Sequence, residues 1–270
     1  MAYVIAFYLP ALREGDDAAK AAAAEALRNL AWDDANKVLI AEAGGIPPLV
    51  DLLRDGSAEG KECAAEALRN LAWDNANKVL IAEAGGIPPL VELLRDGSTE
   101  AKAEAAKALS SLARGDDANL VLIVEAGGIA PLVALLRDGS AEAKEEAASA
   151  LHNLAINDAN RVLIAEAGGI PPLVDLVRDG SGRGGLQAVW ALRHLAHDND
   201  ANKVAIARAV GFDAVVEFVQ HGSVTVDGDY TAVAHAGPTA EREAACVLLR
   251  ACLPRAIPDE IAIAAAAFLM

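Results

Sequence analysis

Aromatic residues are scarce in this 270-residue chain: they make up 4%, against 54% hydrophobic residues overall, so its apolar surface is mostly Ala, Leu, Ile and Val. Alanine and leucine are strong helix formers, which tilts the fold towards all-α. Positive charge is also short. Against 39 Asp and Glu stand 23 Lys and Arg, a formal net charge of −16. That balance argues against binding along a phosphate backbone, which takes a basic face, and fits basic protein partners. Cysteine is limited to Cys63, Cys246 and Cys252, with no Cys-x-x-Cys metal pair and no disulfide framework. Each lies in an Ala-rich helical stretch, where a small buried thiol is the plain reading. An intracellular, reducing compartment is the expected setting, cytoplasm or nucleus, with an organelle left open. No apolar run reaches the roughly 18–20 residues of a transmembrane helix. The apolar opening Met1–Leu12 lacks the basic segment of a signal peptide.

What the chain does contain is a repeat. GGIPPLVDLLRDGS begins at Gly44 and returns in close variants at Gly85, Gly127 and Gly168, spacings of 41, 42 and 41 residues. A weaker copy starts at Val210. Each repeat reads as three helices. A short one such as Asn77–Ala84 ends at Gly85-Gly86, where glycine supplies the left-handed conformation that closes a helix. Ile87-Pro88-Pro89-Leu90 starts the second, with proline tolerated in the first turn. Leu90, Val91, Leu93 and Leu94 have core spacing. Asp96-Gly97-Ser98 stops this helix, and Ser98 is a candidate cap for an alanine-rich third helix over Thr99–Arg114.

The period, the AGGI turn, the PLVxLL core and the ALRNLA ending together resemble the armadillo repeat. The resemblance covers nearly the whole chain and implies an all-α, right-handed α-solenoid of about six three-helix repeats, over about 1–42, 43–83, 84–125, 126–166, 167–208 and 209–253. Setting Ile5 opposite Ile46 makes Met1–Leu12 a degenerate second helix, so the chain is expected to open inside a repeat, at a cap or a truncated boundary. The last repeat carries a longer loop over Val224–Ala240, and Asp259–Met270 within 254–270 reads as a capping helix, with partner docking as the alternative.

The resemblance also implies a site. In armadillo proteins the third helices line a concave groove, and an asparagine near the end of each holds the backbone of an extended peptide. That position is Asn29, Asn70 and Asn153 here, but Ser111, His194 and Arg250 in the other copies. The plain alternative is that the amide satisfies backbone near the next repeat. Importin-type members add a tryptophan one turn before the asparagine. Only Trp190 keeps it, the equivalents being Glu25, Glu66, Lys107, Ser149 and Cys246, so dedicated nuclear-import cargo binding is not expected. Trp32 and Trp73 follow their asparagines by three residues and either stack on a ligand side chain or pack under the next first helix. Glu25, Glu62 and Glu66 are acidic rungs, and Arg28, Arg69 and Arg193 flank the asparagine position. Charges on a helix are most often simply a solvated face.

Catalytic chemistry finds no support. His194 and His197 are three apart on one helix, but no third metal ligand accompanies them. Ser181-Gly182-Arg183-Gly184-Gly185 lacks the Lys-Ser/Thr of a phosphate loop and reads as a flexible turn. The expectation is a non-enzymatic scaffold, without metal or cofactor, that binds an extended peptide or partner protein along its groove, a basic partner being compatible with the acidic chain. Neither nucleic-acid binding nor membrane insertion is expected. The alternative is a structural subunit held in a large assembly through its outer faces or ends, which the few groove aromatics favour.

Overall fold

The computed structural model describes residues 2–179 and 182–210, and these contain fifteen helices and no strand. The repeat 209–253, the Val224–Ala240 loop and the 254–270 helix lie essentially outside the described residues. Two compact units divide at Leu154/Ala155. The first holds α1 (Ala2–Glu14), α2 (Asp17–Leu30), α3 (Asp34–Glu42), α4 (Ile46–Asp55), α5 (Ala58–Leu71), α6 (Asn75–Glu83), α7 (Ile87–Asp96), α8 (Thr99–Ala113), α9 (Asp117–Glu125), α10 (Ile129–Asp138) and α11 (Ala141–Leu154). The second holds α12 (Asp158–Glu166), α13 (Ile170–Arg178), α14 (Gly182–Ala196) and α15 (Asp200–Val210). No single helix among the described residues is long and apolar enough to cross a membrane.

Local chemistry accounts for the helix boundaries. Gly44, Gly85, Gly127 and Gly168 have φ between +71° and +74°. At α6, Gly86 N–H donates to the Ile81 carbonyl and Gly85 N–H to that of Ala82, both at 2.9 Å, the paired bonds that close a helix on a left-handed glycine. Pro88 then sits in the first turn of α7. Ser57, Ser98 and Ser140 accept from the backbone N–H three residues on, capping α5, α8 and α11. Asp33, Asp74 and Asp116 do the same for the short first helices α3, α6 and α9. The degenerate α1 buries Ile5, Leu9 and Leu12, in keeping with its register as a second helix.

Packing follows the period. Ala24, Ala65, Ala106 and Ala148 are fully buried where α2, α5, α8 and α11 lie side by side. Side chains this small let backbones approach closely, and the second helices supply the volume through Leu49, Leu90 and Leu132, also fully buried. Second-helix arginines tie one repeat to the next: Arg13 donates to Gly44 O (3.3 Å) and Arg95 to Gly127 O (3.2 Å), both just past the end of a first helix. One expectation fails. The glycine-rich stretch after Ser181 is not a turn, because α14 begins at Gly182. Burial of Gly184, Ala188 and Leu192 outweighs the roughly 1 kcal/mol that each glycine costs a helix.

Candidate functional site

The third helices α2, α5, α8 and α11 form one layer of the first unit, and the predicted peptide-contacting positions fall near their C-terminal ends. There the asparagines differ. Asn29 is exposed, whereas Asn70 and Asn153 are 5% and 7% exposed. Asn70 Nδ2 donates to Arg28 O (3.1 Å), and Asn153 Nδ2 donates to Ser110 O (3.2 Å). Each acceptor is among the last four carbonyls of the preceding third helix, groups that no intrahelical amide satisfies. Asn70 Oδ1 in turn accepts from Arg69 Nε (3.2 Å) and Nη2 (3.1 Å). In this structure both amides therefore satisfy backbone, as in the plain alternative, but that of the preceding repeat rather than the next. Ser111 is buried at the corresponding place in α8. Asn29, on the first third helix, keeps its amide towards solvent.

Charge on this face is organised across repeats. Arg28 hydrogen-bonds Glu66 of the next third helix and lies 3.3 Å from Glu25 of its own. Position 107 holds lysine where Glu66 stands one repeat earlier, so Arg69 turns to Glu104 (3.0 Å), and Lys107 pairs with Glu104 (2.7 Å) and Glu142 (2.5 Å). Burial opposes the Lys107 ammonium, yet its bonds to Glu104 and Glu142 prevail and hold its pKa above 10.5. One repeat further, Ser110 and Ser149 take over with a hydroxyl–hydroxyl bond of 2.8 Å. Cation supply still falls short around α5 and α8. Glu62 is pushed above its ordinary 4.5 by burial and by Glu66, Glu100 and Glu104, with a hydrogen bond to Ser98 only partly offsetting this. Glu104 Oε2 is buried without a hydrogen-bond donor, because the Arg69 guanidinium, though near, is not aligned with it.

Trp32 and Trp73 are 73% and 61% exposed, so most of each indole faces water rather than the next first helix. The Arg114 guanidinium, one repeat on at the same position, stands 5.2 Å over the Trp73 ring, a cation–π distance. In the second unit, Trp190 has Arg193 over its ring at 5.2 Å, and His194 is half-buried on the same helix. His197 lies beside the Arg161 guanidinium (3.4 Å), a cation that works against metal binding there. No cluster of three or more metal-ligating side chains occurs among the described residues.

Sequence reading passed over a second column of asparagines, in the first helices: Asn36, Asn77, Asn119, Asn160 and Asn202, all buried. Asn77 Nδ2 donates to Leu71 O and to Lys37 O, both at 3.2 Å, which ties the end of α5 to α6 and α6 to α3. Asn119 reaches Leu112 O (3.1 Å), and Asn202 reaches Leu195 O (2.9 Å). The signal was an asparagine recurring at the repeat period inside NANKVLIAE. Lys78, itself buried, drives its Nζ onto Arg114 O (2.6 Å), and burial lowers its pKa from 10.5.

Three-helix repeats closed by left-handed glycines, with third helices side by side, define an armadillo-type α-solenoid. Residues 11–185 match the plant U-box protein ARM repeat region, and the chain belongs to that family. Solved structures agree. It is similar to a designed armadillo repeat protein in complex with the peptide (KR)4, at TM-score 0.74 and 31% identity over 92% of this chain and 99% of that one. A computationally designed armadillo protein for modular peptide recognition gives 0.76 and 30%, over 92% and 99%. An engineered protein gives 0.78 and 29%, over 98% of this chain and 61% of that one. No curated protein sequence gives a significant match.

Proposed function

We propose that this chain is a non-enzymatic scaffold that holds an extended, Lys- or Arg-containing segment of a partner protein along the layer of α2, α5, α8 and α11. Armadillo repeats are commonly protein- or peptide-binding scaffolds. One observation carries the finer reading: carboxylates outnumber cations on this layer, and burial, with Glu66, Glu100 and Glu104 adding to it, raises Glu62 above its ordinary titration range. A partner's ammonium or guanidinium supplies the missing charge. Trp73 already stacks on a guanidinium of its own chain, while the equivalent neighbour of Trp32 is Trp73 itself, which leaves the Trp32 ring for a partner's cation. The similar designed protein solved with (KR)4 supports the same chemistry.

Asn29, Glu25, Trp32, Trp73 and Glu66 carry the contact in this reading. Asn70, Ser111 and Asn153 chiefly shape it from beneath. A reducing compartment belongs to the proposal, since Cys63 is a free, half-buried thiol. The test is fluorescence anisotropy with a labelled (KR)4 peptide at two salt concentrations. Binding should weaken with salt, because exposed charges are screened over about 8–10 Å. It should also fall about threefold to tenfold in Trp32→Ala/Glu25→Gln, the equivalent of ~0.5–1.5 kcal/mol. A peptide indifferent to both changes refutes the reading.

A further inference from the structure

The first helices turn an apolar face to water. In NANKVLIAE three successive apolar residues, Val79, Leu80 and Ile81, follow Lys78, yet only Ile81 enters the core. Val79 and Leu80 are 47% and 41% exposed. The pattern recurs at Val38 on α3 (43%) and at Val121 and Leu122 on α9 (50% and 38%). A solvated helix face ordinarily carries polar residues at such positions, and packing among the described residues does not account for these. The same pair, Val162 and Leu163, stands exposed on α12 of the second unit.

Charge around the row is mainly acidic, with Arg13 and Arg95 already drawn onto the carbonyls just past the ends of α3 and α9. Glu42, Glu83 and Glu125 close α3, α6 and α9 on the outward side, at the C-terminal helix ends where the helix dipole already disfavours negative charge. Asp34 and Asp117 stand exposed at the other ends. The basic residues of these helices are already engaged: Lys37 pairs with Asp34 (2.5 Å), and the buried Lys78 is spent on a backbone carbonyl. A second copy would set these carboxylates against their equivalents in a chain of net charge −16. A cationic partner relieves the exposed carboxylates Glu42, Glu83, Glu125 and Asp117.

We infer that the outward row of α3, α6 and α9 is a docking surface for a basic amphipathic helix of another protein. Neighbouring helices pack roughly 8–10 Å apart. At 1.5 Å rise per residue, about five to seven residues of a crossing helix span one repeat, and the heptad is the spacing in that range that returns the same helix face. The partner helix therefore presents apolar residues at heptad spacing, one set to each Val-Leu pair, flanked by Lys or Arg. This surface is separate from the third-helix layer and does not depend on binding there.

The experiment uses the full chain and a labelled 18-residue synthetic helix with Leu in one heptad stripe and Lys on its flanks. A scrambled peptide of the same composition is the comparison. The striped peptide should bind at least tenfold tighter than the scrambled one. Val79→Gln/Leu80→Gln/Val121→Gln/Leu122→Gln should weaken it at least tenfold with an unchanged circular dichroism spectrum. If that variant loses helicity, Val79→Thr/Val121→Thr, which keeps the side-chain shape, should still weaken binding severalfold. Equal binding of the two peptides overturns the inference, as does an unaffected variant. So does a loss of equal size in Trp32→Ala/Glu25→Gln, which would put the peptide on the third-helix layer. A native chain that is dimeric by sedimentation equilibrium, and monomeric once substituted, also overturns it in favour of a second copy.

Discussion

Asn70→Ala should destabilise the fold, and Asn29→Ala should not, although the two residues occupy equivalent positions in the repeat. Asn70 is 5% exposed and donates to Arg28 O at 3.1 Å. Alanine there leaves a part-buried carbonyl near the end of α2 without its donor, at a cost of about 1–3 kcal/mol. It also removes the acceptor for Arg69 Nε and Nη2, a smaller loss because Arg69 keeps Glu104. A net cost of about 2 kcal/mol follows, or a shift of ~1 M in the urea midpoint for a slope near 2 kcal/mol/M. Asn29 is exposed, so its truncation should stay within about 0.5 kcal/mol. Asn70→Asp separates the two halves: it keeps an acceptor for Arg69 but turns oxygen against the Arg28 carbonyl, and it should remain well below native stability. Urea unfolding followed by circular dichroism reports the midpoints. Because repeat contacts are between nearest neighbours, amide hydrogen exchange should place the lost protection at the α2–α5 junction. An Asn70→Ala midpoint indistinguishable from native, or an equal fall in Asn29→Ala, would refute the argument.

Asn77→Ala should cost about 1–3 kcal/mol in the same assay, since two carbonyls from different helices lose one buried amide; an unchanged midpoint would show that water replaces it. Gly85→Ala should cost about 1–2 kcal/mol for a left-handed alanine, with Gly85→Asn milder, because space beside Gly85 is open and asparagine tolerates φ of +73°. Gly86→Ala should be worse than either by thermal melting, as its Cβ would lie 2.8 Å from Ile81 Cγ2. Glu62→Gln should raise stability at pH 7. The Glu62 pKa is raised on folding, so its ionised form is disfavoured in the folded state, and that penalty vanishes below the ordinary value of 4.5, where it is protonated in both states. A gain that persists at pH 3.5 would contradict the assignment.

The residues that punctuate this fold act locally, which is why they could be read from the sequence. Gly85 closes α6, Pro88 enters the first turn of α7 and Ser98 caps α8, each through backbone groups within a few residues. The 41–42-residue period carried the same local solution from repeat to repeat, so the all-helical architecture and the equivalence of Asn29, Asn70 and Asn153 were legible in the chain itself. What those equivalent residues do was not legible, because their partners lie about forty positions away. Asn70 meets a carbonyl of α2, while Asn29, with no third helix described before α2, faces water. Glu66 reads as an open acidic rung until Arg28 is brought beside it, and Glu62 reads as an ordinary surface carboxylate until α8 sets Glu100 and Glu104 around it. Three consecutive apolar letters, Val79, Leu80 and Ile81, look alike in sequence. Only the placement of α6 against its neighbours decided that Ile81 is core and the other two are surface, because helical rotation sends successive side chains in different directions and tertiary contacts choose which direction is inward.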